Sequence, residues 1–313
     1  MTSSFERAPA AAAVFIPVFN GAQYLAELVD ALVAQEVGGS VEVLVIDSGS
    51  TDGSVEIARR FPITIHQIPN AEFGHGRTRN LAMRMTAAPF VAFLTQDATP
   101  AGPRWLAELL APFADPRVAA TLGRQLPRSH SDPTTARTVA EAYGPRAVVV
   151  EGTIDGLPVF SSVNSCVRRA AWEVVPYRDV PYAEDFHLAR DLLAAGHRIA
   201  YAPEAAVLHS NEYTLAEYFG RMIDEFGALP PTPAPMLEAR LVKRWLAGTA
   251  HDLAFALRRS PARFPRDAGW AVVAQAQRLA AAYLRNRHPR LFARAQARFS
   301  LERRRRSQDT IDD

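Results

Sequence analysis

The chain has 313 residues, 48% apolar and 22% charged, which is enough apolar material for a core and excludes disordered, collagen-like and low-complexity classes. Cys166 is the only cysteine, so no disulfide framework exists, and the length allows one large domain or one domain with an appendage. The net charge of +2 hides a division: residues 1–239 hold 18 arginines against 27 acids, whereas 240–313 hold 17 basic residues against 6 acids, so an acidic body carries a basic tail.

The apolar stretch at 10–16 is short, follows Glu6 and runs straight into strand-like sequence, unlike a secretory signal. The best apolar window elsewhere, 268–284, contains Gln275, Gln277 and Arg278 and falls below the roughly 20 residues that cross a bilayer. Lys243 is the only lysine, a bias that looks like GC-rich coding, so arginine identity carries little weight.

In chain order, AAAVFIPVF (11–19) is a continuous apolar run that Asn20-Gly21 ends, as a buried parallel strand requires. Residues 22–35 place Leu25, Leu28, Val29, Leu32 and Val33 on one face of a helix. VEVLVID (41–47) is a second strand, and SGSTDGSVEIARRF starts a second helix behind a Ser/Thr/Asp cap. A short strand (63–68), a helix (76–87) and a strand over 90–97 that ends on polar residues follow. This alternation predicts a mostly parallel sheet with helices on both faces, whose ligands bind beyond the carboxyl ends of the strands. Asn20, Asp47-Ser48-Gly49 and Gln96-Asp97 stand at those ends.

After residue 100 the pattern loosens. Residues 105–113 read as a helix, with Trp105 in the core, and 123–150 as a polar, Pro-bearing excursion. The stretch 160–172 reads as a strand and then a turn, with Cys166 a buried small apolar residue. Residues 183–196 form a helix with two acids in its first turn and Gly196 at its end, and 198–210 a strand. From Leu215 the chain is helical, interrupted by PPTPAP at 230–235. The expected division is a domain over 10–225 and a basic, Pro-linked helical extension over 226–313.

Asp47 ends a buried strand, and the small residues after it let backbone N–H groups approach a ligand closely. A carboxylate there can accept from a nucleobase N–H or a ribose hydroxyl; equally, it can cap a strand-to-helix turn. GHGRTRN (74–80) contains Gly-x-Gly but lacks the third glycine and the long preceding strand of a dinucleotide fingerprint.

The series FIPVFNGAQYLAELVDALVAQ, VEVLVIDSGSTDGS, EFGHGRTRNLA, FLTQDATP and AEDFHLARDLLAAGHRIAYAPEAAVLH resembles glycosyltransferase family 2 over about residues 11–225. These are inverting nucleotide-sugar enzymes of the GT-A fold, an α/β Rossmann-like sheet. DSGSTDGS, HGRTRN and LTQDA resemble the family's rhamnosyltransferase branch, whose usual donor is dTDP-L-rhamnose. The resemblance implies a donor side made of Pro17, Asn20, Asp47, Ser48, Gly49, His75, Gly76, Arg79, Asn80, Gln96 and Asp97. Where the family carries Asp-x-Asp, this chain reads Thr95-Gln96-Asp97, so Asp97 alone remains as the anionic metal ligand, with His209 as the second. Mg²⁺ binds through one or two carboxylates plus substrate phosphates, so one Asp suffices in principle, and a nitrogen ligand favours Mn²⁺. Asp185 is implied as general base, with Glu184 as the alternative; Trp172 and Tyr182 are candidates to stack on an acceptor sugar, or simply to pack.

The implied function is a metal-dependent inverting transferase using a dTDP-sugar, in a bacterial cytoplasm or on the inner face of its membrane, with a surface-glycan or lipid-linked saccharide as acceptor. The alternatives are a UDP-hexose enzyme, or a non-catalytic nucleotide-sugar or glycan-binding protein of envelope assembly. A loop within 123–155 is expected to cover the site. The helix over 236–259 interleaves Leu237, Leu241, Val242, Trp245, Leu246 and Leu253 with Arg240, Lys243 and Arg244, which suits peripheral membrane contact, packing on the body or a homodimer interface. Nucleic acid is not expected, because no aromatic platform accompanies the charge of the tail or of Arg303–Arg306.

Overall fold

The computed structural model describes residues 10–180, 183–209, 213–228 and 238–300. Tyr182, the PPTPAP stretch and Arg303–Arg306 lie outside the described residues. Two compact units are present. The first contains described residues up to Leu126 together with Ala142–His209; the second contains Pro127–Glu141 and the described residues after His209. The division therefore differs from one at 225/226, because two earlier segments cluster with the helical extension.

The first unit opens with β1 (Ala12–Val18), α1 (Ala22–Val33), β2 (Val41–Asp47), α2 (Ser54–Ala58), β3 (Thr64–Gln67), α3 (His75–Met85) and β4 (Phe90–Leu94). β3, β2, β1 and β4 are neighbours in that order and all parallel. The apolar runs of β1, β4 and the second half of β2 are buried, as helices packed on both faces require, whereas the edge strand β3 is exposed to half-buried. α1 buries Leu25, Leu28, Val29 and Leu32 of the stripe read from its period, each worth about 1.5–3 kcal/mol of burial, whereas Val33 at its end is 63% exposed. The expected cap of α2 is divided: Gly53 takes the N-cap position at φ 91°, while the Asp52 carboxylate accepts from the Ser54 N–H.

Next come β5 (Thr99–Pro100), α4 (Trp105–Leu110) with a following 3₁₀ turn, β6 (Val118–Leu126), α5 (Pro133–Ala142), β7 (Val148–Glu151), β8 (Asn164–Arg168), α6 (Arg169–Val174), α7 (Glu184–Ala194) and β9 (Arg198–Leu208). This half of the sheet is mixed. β8 returns antiparallel between β4 and β6, and β9 runs parallel to β6.

Two sequence expectations need correction. The stretch 123–150 is no irregular excursion: it holds the end of β6, α5 and β7. Its first strand, VAATLGRQL, shows no continuous apolar run because Thr121, Gly123, Arg124 and Gln125 interrupt it, although it is mostly buried. The turn expected after 160–168 is the helix α6. Short elements of this kind form because neighbours cover them, not because of local propensity. Asn164 shows the neighbours at work: its Oδ1 accepts from Trp105 Nε1 at 2.9 Å, and its Nδ2 donates to the Ala205 and Arg124 carbonyls at 2.8 and 3.1 Å.

The second unit packs α8 (Leu215–Ala228), α10 (Phe264–Arg287) and α11 (Pro289–Phe299) around Tyr218, Met222, Ile223, Ala274, Ala281 and Phe292, and α9 (Glu238–Arg259) against α10. Asp252 is fully buried there and accepts from Thr134, Arg137 and Gln275. Arg259 and Arg263 donate to the four consecutive carbonyls of residues 128–131. Part of the basic tail thus serves internal bonds. Among the described residues no helix is long and apolar enough to cross a membrane.

Candidate functional site

Strand register decides which residues meet. Val18 pairs with Asp47 and Phe15 with Phe93, so the carboxyl ends of β1, β2 and β4 share one edge. Leu94 pairs with Asn164 where β8 begins, which brings Ser161–Asn164 to the same edge. Leu122 pairs with Ser165, and Leu126 with Leu208, so β6 and β9 also end there. One sheet edge therefore carries Asp47, Gln96-Asp97, Gln125, Ser162 with its bonded partner Asp185, and His209.

At the β1/β2 end, Asp47 is fully buried. Its Oδ2 accepts from the Gly49 and Ser50 N–H groups at 3.1 and 3.2 Å, whereas Oδ1 is buried with no hydrogen-bond partner. Thr95 Oγ1, just past β4, is also buried and unpartnered. Such atoms cost free energy unless a ligand pairs with them. The surrounding polar residues are engaged with the chain itself. Ser48 donates from both N and Oγ to the Val18 carbonyl. Asn20, at φ 48°, accepts from the Thr51 N–H and donates its own N–H to Ser50. Pro17 is half-buried in β1 opposite Ile46. Gln96 clasps the Phe19 peptide, accepting from N at 2.8 Å and donating to O at 3.0 Å. A Cβ on Gly21 would lie 2.6 Å from Gln96 Oε1, so this clasp requires glycine there.

Next to it, Asp97 Oδ2 lies 3.6 Å from His209 Nε2. His209 is 4% exposed, and its N–H is anchored to the Leu126 carbonyl at 2.9 Å. One ion with ligand bonds of about 2.1 Å can touch both atoms, and the remaining positions suit diphosphate oxygens and water. Among the described residues no group of three or more His, Cys, Asp or Glu could hold a metal, and Asp97 with His209 is a carboxylate–imidazole pair that one ion could touch.

Glu184 and Asp185 open α7 after Ala183, which sits in the left-handed region at φ 62°. Glu184 forms a buried ion pair with Arg79. Arg79 also donates to the His75 carbonyl at 3.0 Å and lies over the Tyr177 ring. Asp185, next to that pair, takes its hydrogen bonds from the backbone, its Oδ2 accepting from Ser162 N at 3.1 Å and its Oδ1 from Phe186 N at 2.8 Å. Burial, and then the negative Glu184 beside it, raise the Asp185 pKa above the ordinary carboxylate value.

The GHGRTRN stretch is more structural than its glycines suggest. A Cβ on Gly76 would lie 2.0 Å from the Arg178 carbonyl oxygen, so this glycine admits a neighbouring backbone. His75 packs edge-on against Phe73. Asn80 accepts from Trp172 Nε1 and Tyr177 N and donates to the Tyr177 carbonyl, which ties Trp172 to α3. Gln125, Tyr143 and Ser162 went unnoticed in the sequence because no motif marks them; the pairing of β6 places Gln125, and Tyr143 and Ser162 reach it and Asp185 from the connections before β7 and β8.

The sheet order, with carboxylates at the common strand-end edge, defines an α/β protein of the GT-A fold. The mannosyltransferase PcManGT from Pyrobaculum calidifontis, solved in complex with GDP-Man and Mn²⁺, superposes with a TM-score of 0.55 over 97% of this chain and 87% of that one, at 22% identity. The sequence model described as Glycosyl transferase family 2 matches residues 13–173, and the chain belongs to that family. It is 34% identical over 221 residues to the O-antigen chain rhamnosyltransferase RfbN of Salmonella typhimurium, covering 67% of this chain and 70% of that protein. To the O-antigen chain rhamnosyltransferase WbaN of Salmonella anatum it is 35% identical over 192 residues, 58% of this chain and 61% of that protein.

Proposed function

We propose that this protein is a divalent-metal-dependent inverting glycosyltransferase that moves L-rhamnose from dTDP-L-rhamnose to a surface-glycan or lipid-linked acceptor. The observation that carries the proposal is the meeting of Asp47, Asp97–His209 and Asp185 at one strand-end edge. The names of the two Salmonella relatives support the choice of sugar.

In this reading the unpartnered Asp47 Oδ1 receives a donor group of the nucleoside. Asp97 and His209 hold the cation, which supplies charge stabilisation to the departing diphosphate. Glu184 is neutralised by Arg79, which leaves Asp185 as the base. The acceptor oxygen attacks the anomeric carbon from the face opposite the diphosphate; the bond to the diphosphate breaks, and the hydroxyl proton passes to Asp185. A raised pKa suits that step, because a more basic carboxylate takes the proton more readily. Gln96, Ser48, Asn80 and Trp172 also hold the site's backbone in place through their own bonds.

Where the acceptor is lipid-linked, the transfer takes place at the cytoplasmic membrane surface. α9 supports this, since Val242, Leu246 and Leu257 are exposed on it beside exposed Lys243, Arg244 and Arg258.

A thermal-shift panel of dTDP-, UDP- and GDP-sugars with and without Mn²⁺ or Mg²⁺ tests the donor and the metal together, because a ligand of the native state raises its apparent stability. Stabilisation by dTDP-L-rhamnose that depends on the metal, followed by a rhamnosylated product found by mass, is the expected result. Stabilisation by UDP-hexoses alone would overturn the choice of sugar, and stabilisation unchanged by EDTA would overturn the metal.

A further inference from the structure

We infer that Gln125, itself oriented by Tyr143, is a positioning residue that fixes the His209 proton on Nδ1 and leaves the Nε2 lone pair directed at Asp97. The inference rests on the metal-dependent reading for its purpose, but it is decided by the proton's position, which is measurable without metal.

The direction of every bond in this chain follows from one terminal acceptor. The Val159 carbonyl can only accept, so the Tyr143 hydroxyl, 2.9 Å away, spends its single proton there. Burial pushes the Tyr143 phenol well up from its ordinary pKa, so that proton stays in place. The Tyr143 oxygen is thereby left to accept, and Gln125 Nε2 donates to it at 2.8 Å. The Gln125 amide is thus oriented, with its Oε1 3.0 Å from His209 Nδ1. An amide oxygen only accepts, so Nδ1 carries the hydrogen, and in the neutral imidazole Nε2 keeps its lone pair. That lone pair lies 3.6 Å from Asp97 Oδ2.

The frame is rigid. Gln125, Tyr143 and His209 are 5%, 6% and 4% exposed. Gln125 sits in β6 paired with Val207 of β9, two residues before His209. Its neighbour Arg124 donates to the Tyr143 carbonyl at 3.0 Å, so adjacent residues of one strand hold Tyr143 at both ends. Metal-binding histidines gain affinity when an outer partner fixes the second ring nitrogen, and losing such a partner costs roughly 10–100-fold.

The test uses the full chain labelled with ¹⁵N-histidine, metal-free and at alkaline pH where imidazole is neutral, with His209 assigned by loss of its signals in His209→Gln. Long-range ¹H–¹⁵N spectra should report the Nδ1–H tautomer in the wild type and an Nε2–H population in Gln125→Leu. Mn²⁺ binding followed by electron paramagnetic resonance, with Mn²⁺ alone and with dTDP, should weaken about 10-fold or more in Gln125→Leu and recover in Gln125→Glu, whose carboxylate again accepts from Nδ1. Tyr143→Phe should fall between them. An Nε2–H tautomer in the wild type, or Gln125→Leu binding Mn²⁺ within twofold of the wild type, would overturn the inference. If the wild type bound no Mn²⁺ with dTDP, the metal reading would fall by itself, and the spectra would still decide the tautomer.

Discussion

The two halves of the strand-end edge use their polar residues in opposite ways. Around β1, β2 and β4 the motif residues mostly bond the protein's own backbone: Ser48 to Val18, Gln96 to Phe19, Asp52 to Ala22 and Ser54. Only Asp47 Oδ1 and Thr95 Oγ1 are left buried without a partner. Around β8, α7 and β9 ionisable side chains meet partners from the other half directly, Glu184 facing Arg79 of α3 and His209 facing Asp97 just past β4. A dense run of polar motif residues therefore marks a loop held in shape, while groups able to do chemistry sit where charges are placed close together at a cost.

The contrast can be broken or sharpened by substitution. The largest effect belongs to Asp185→Asn, expected to slow transfer about 10²–10⁴-fold while leaving donor-dependent thermal stabilisation intact. Near-normal turnover in initial-rate assays would remove Asp185 as the base. The pH profile adds a sign. Asp185 acts only when deprotonated and its pKa is raised, so kcat/KM should fall on acidification from a midpoint above the ordinary carboxylate range. For stability the sign is opposite: the fold favours the protonated form, so this group's contribution is fully present below its unfolded pKa and is lost as pH rises through the raised value. Asp185→Asn removes that buried charge but keeps one acceptor oxygen for the N–H groups of Ser162 and Phe186, so the two effects offset and its Tm at neutral pH should change little.

Arg79→Ala should destabilise the fold by about 3–5 kcal/mol in denaturant titration, because it strands the buried Glu184 carboxylate. Loss below about 1 kcal/mol would mean that the pair is not buried as described. Asp47→Asn should raise the donor KM by roughly 10-fold, in keeping with about 1.5–3 kcal/mol for a charged hydrogen bond, with kcat much less affected. An unchanged KM would assign Asp47 wholly to its loop. The smallest effect is Ala183→Gly. Relieving a left-handed alanine should stabilise by about 0.5–1 kcal/mol, read as a modest rise in Tm, and a fall would mean that no strain is held there.

The parallel half of the sheet was legible because its strands and helices repeat their periods clearly, as in β1, α1 and β2. The other half was much less so. Its strand β6 breaks its apolar residues with Thr121, Gly123, Arg124 and Gln125, its helix α6 is short, and its antiparallel β8 gives no local sign of direction. The site divided along the same line. Asp47, Asp97, Asp185 and His209 could be named from motifs, but the bond from Asp185 to Ser162 and the chain from His209 through Gln125 to Tyr143 could not.

The sequence by itself determined the alternating architecture and the residue types able to take a proton or hold a cation, since both are written in local order and spacing. Tertiary structure decided which of them are committed elsewhere. Glu184 is neutralised by a residue 105 positions away and His209 is oriented by one 84 positions away. Partners so remote are brought together only by strand register and helix packing, and it is those contacts that set charge, tautomer and burial.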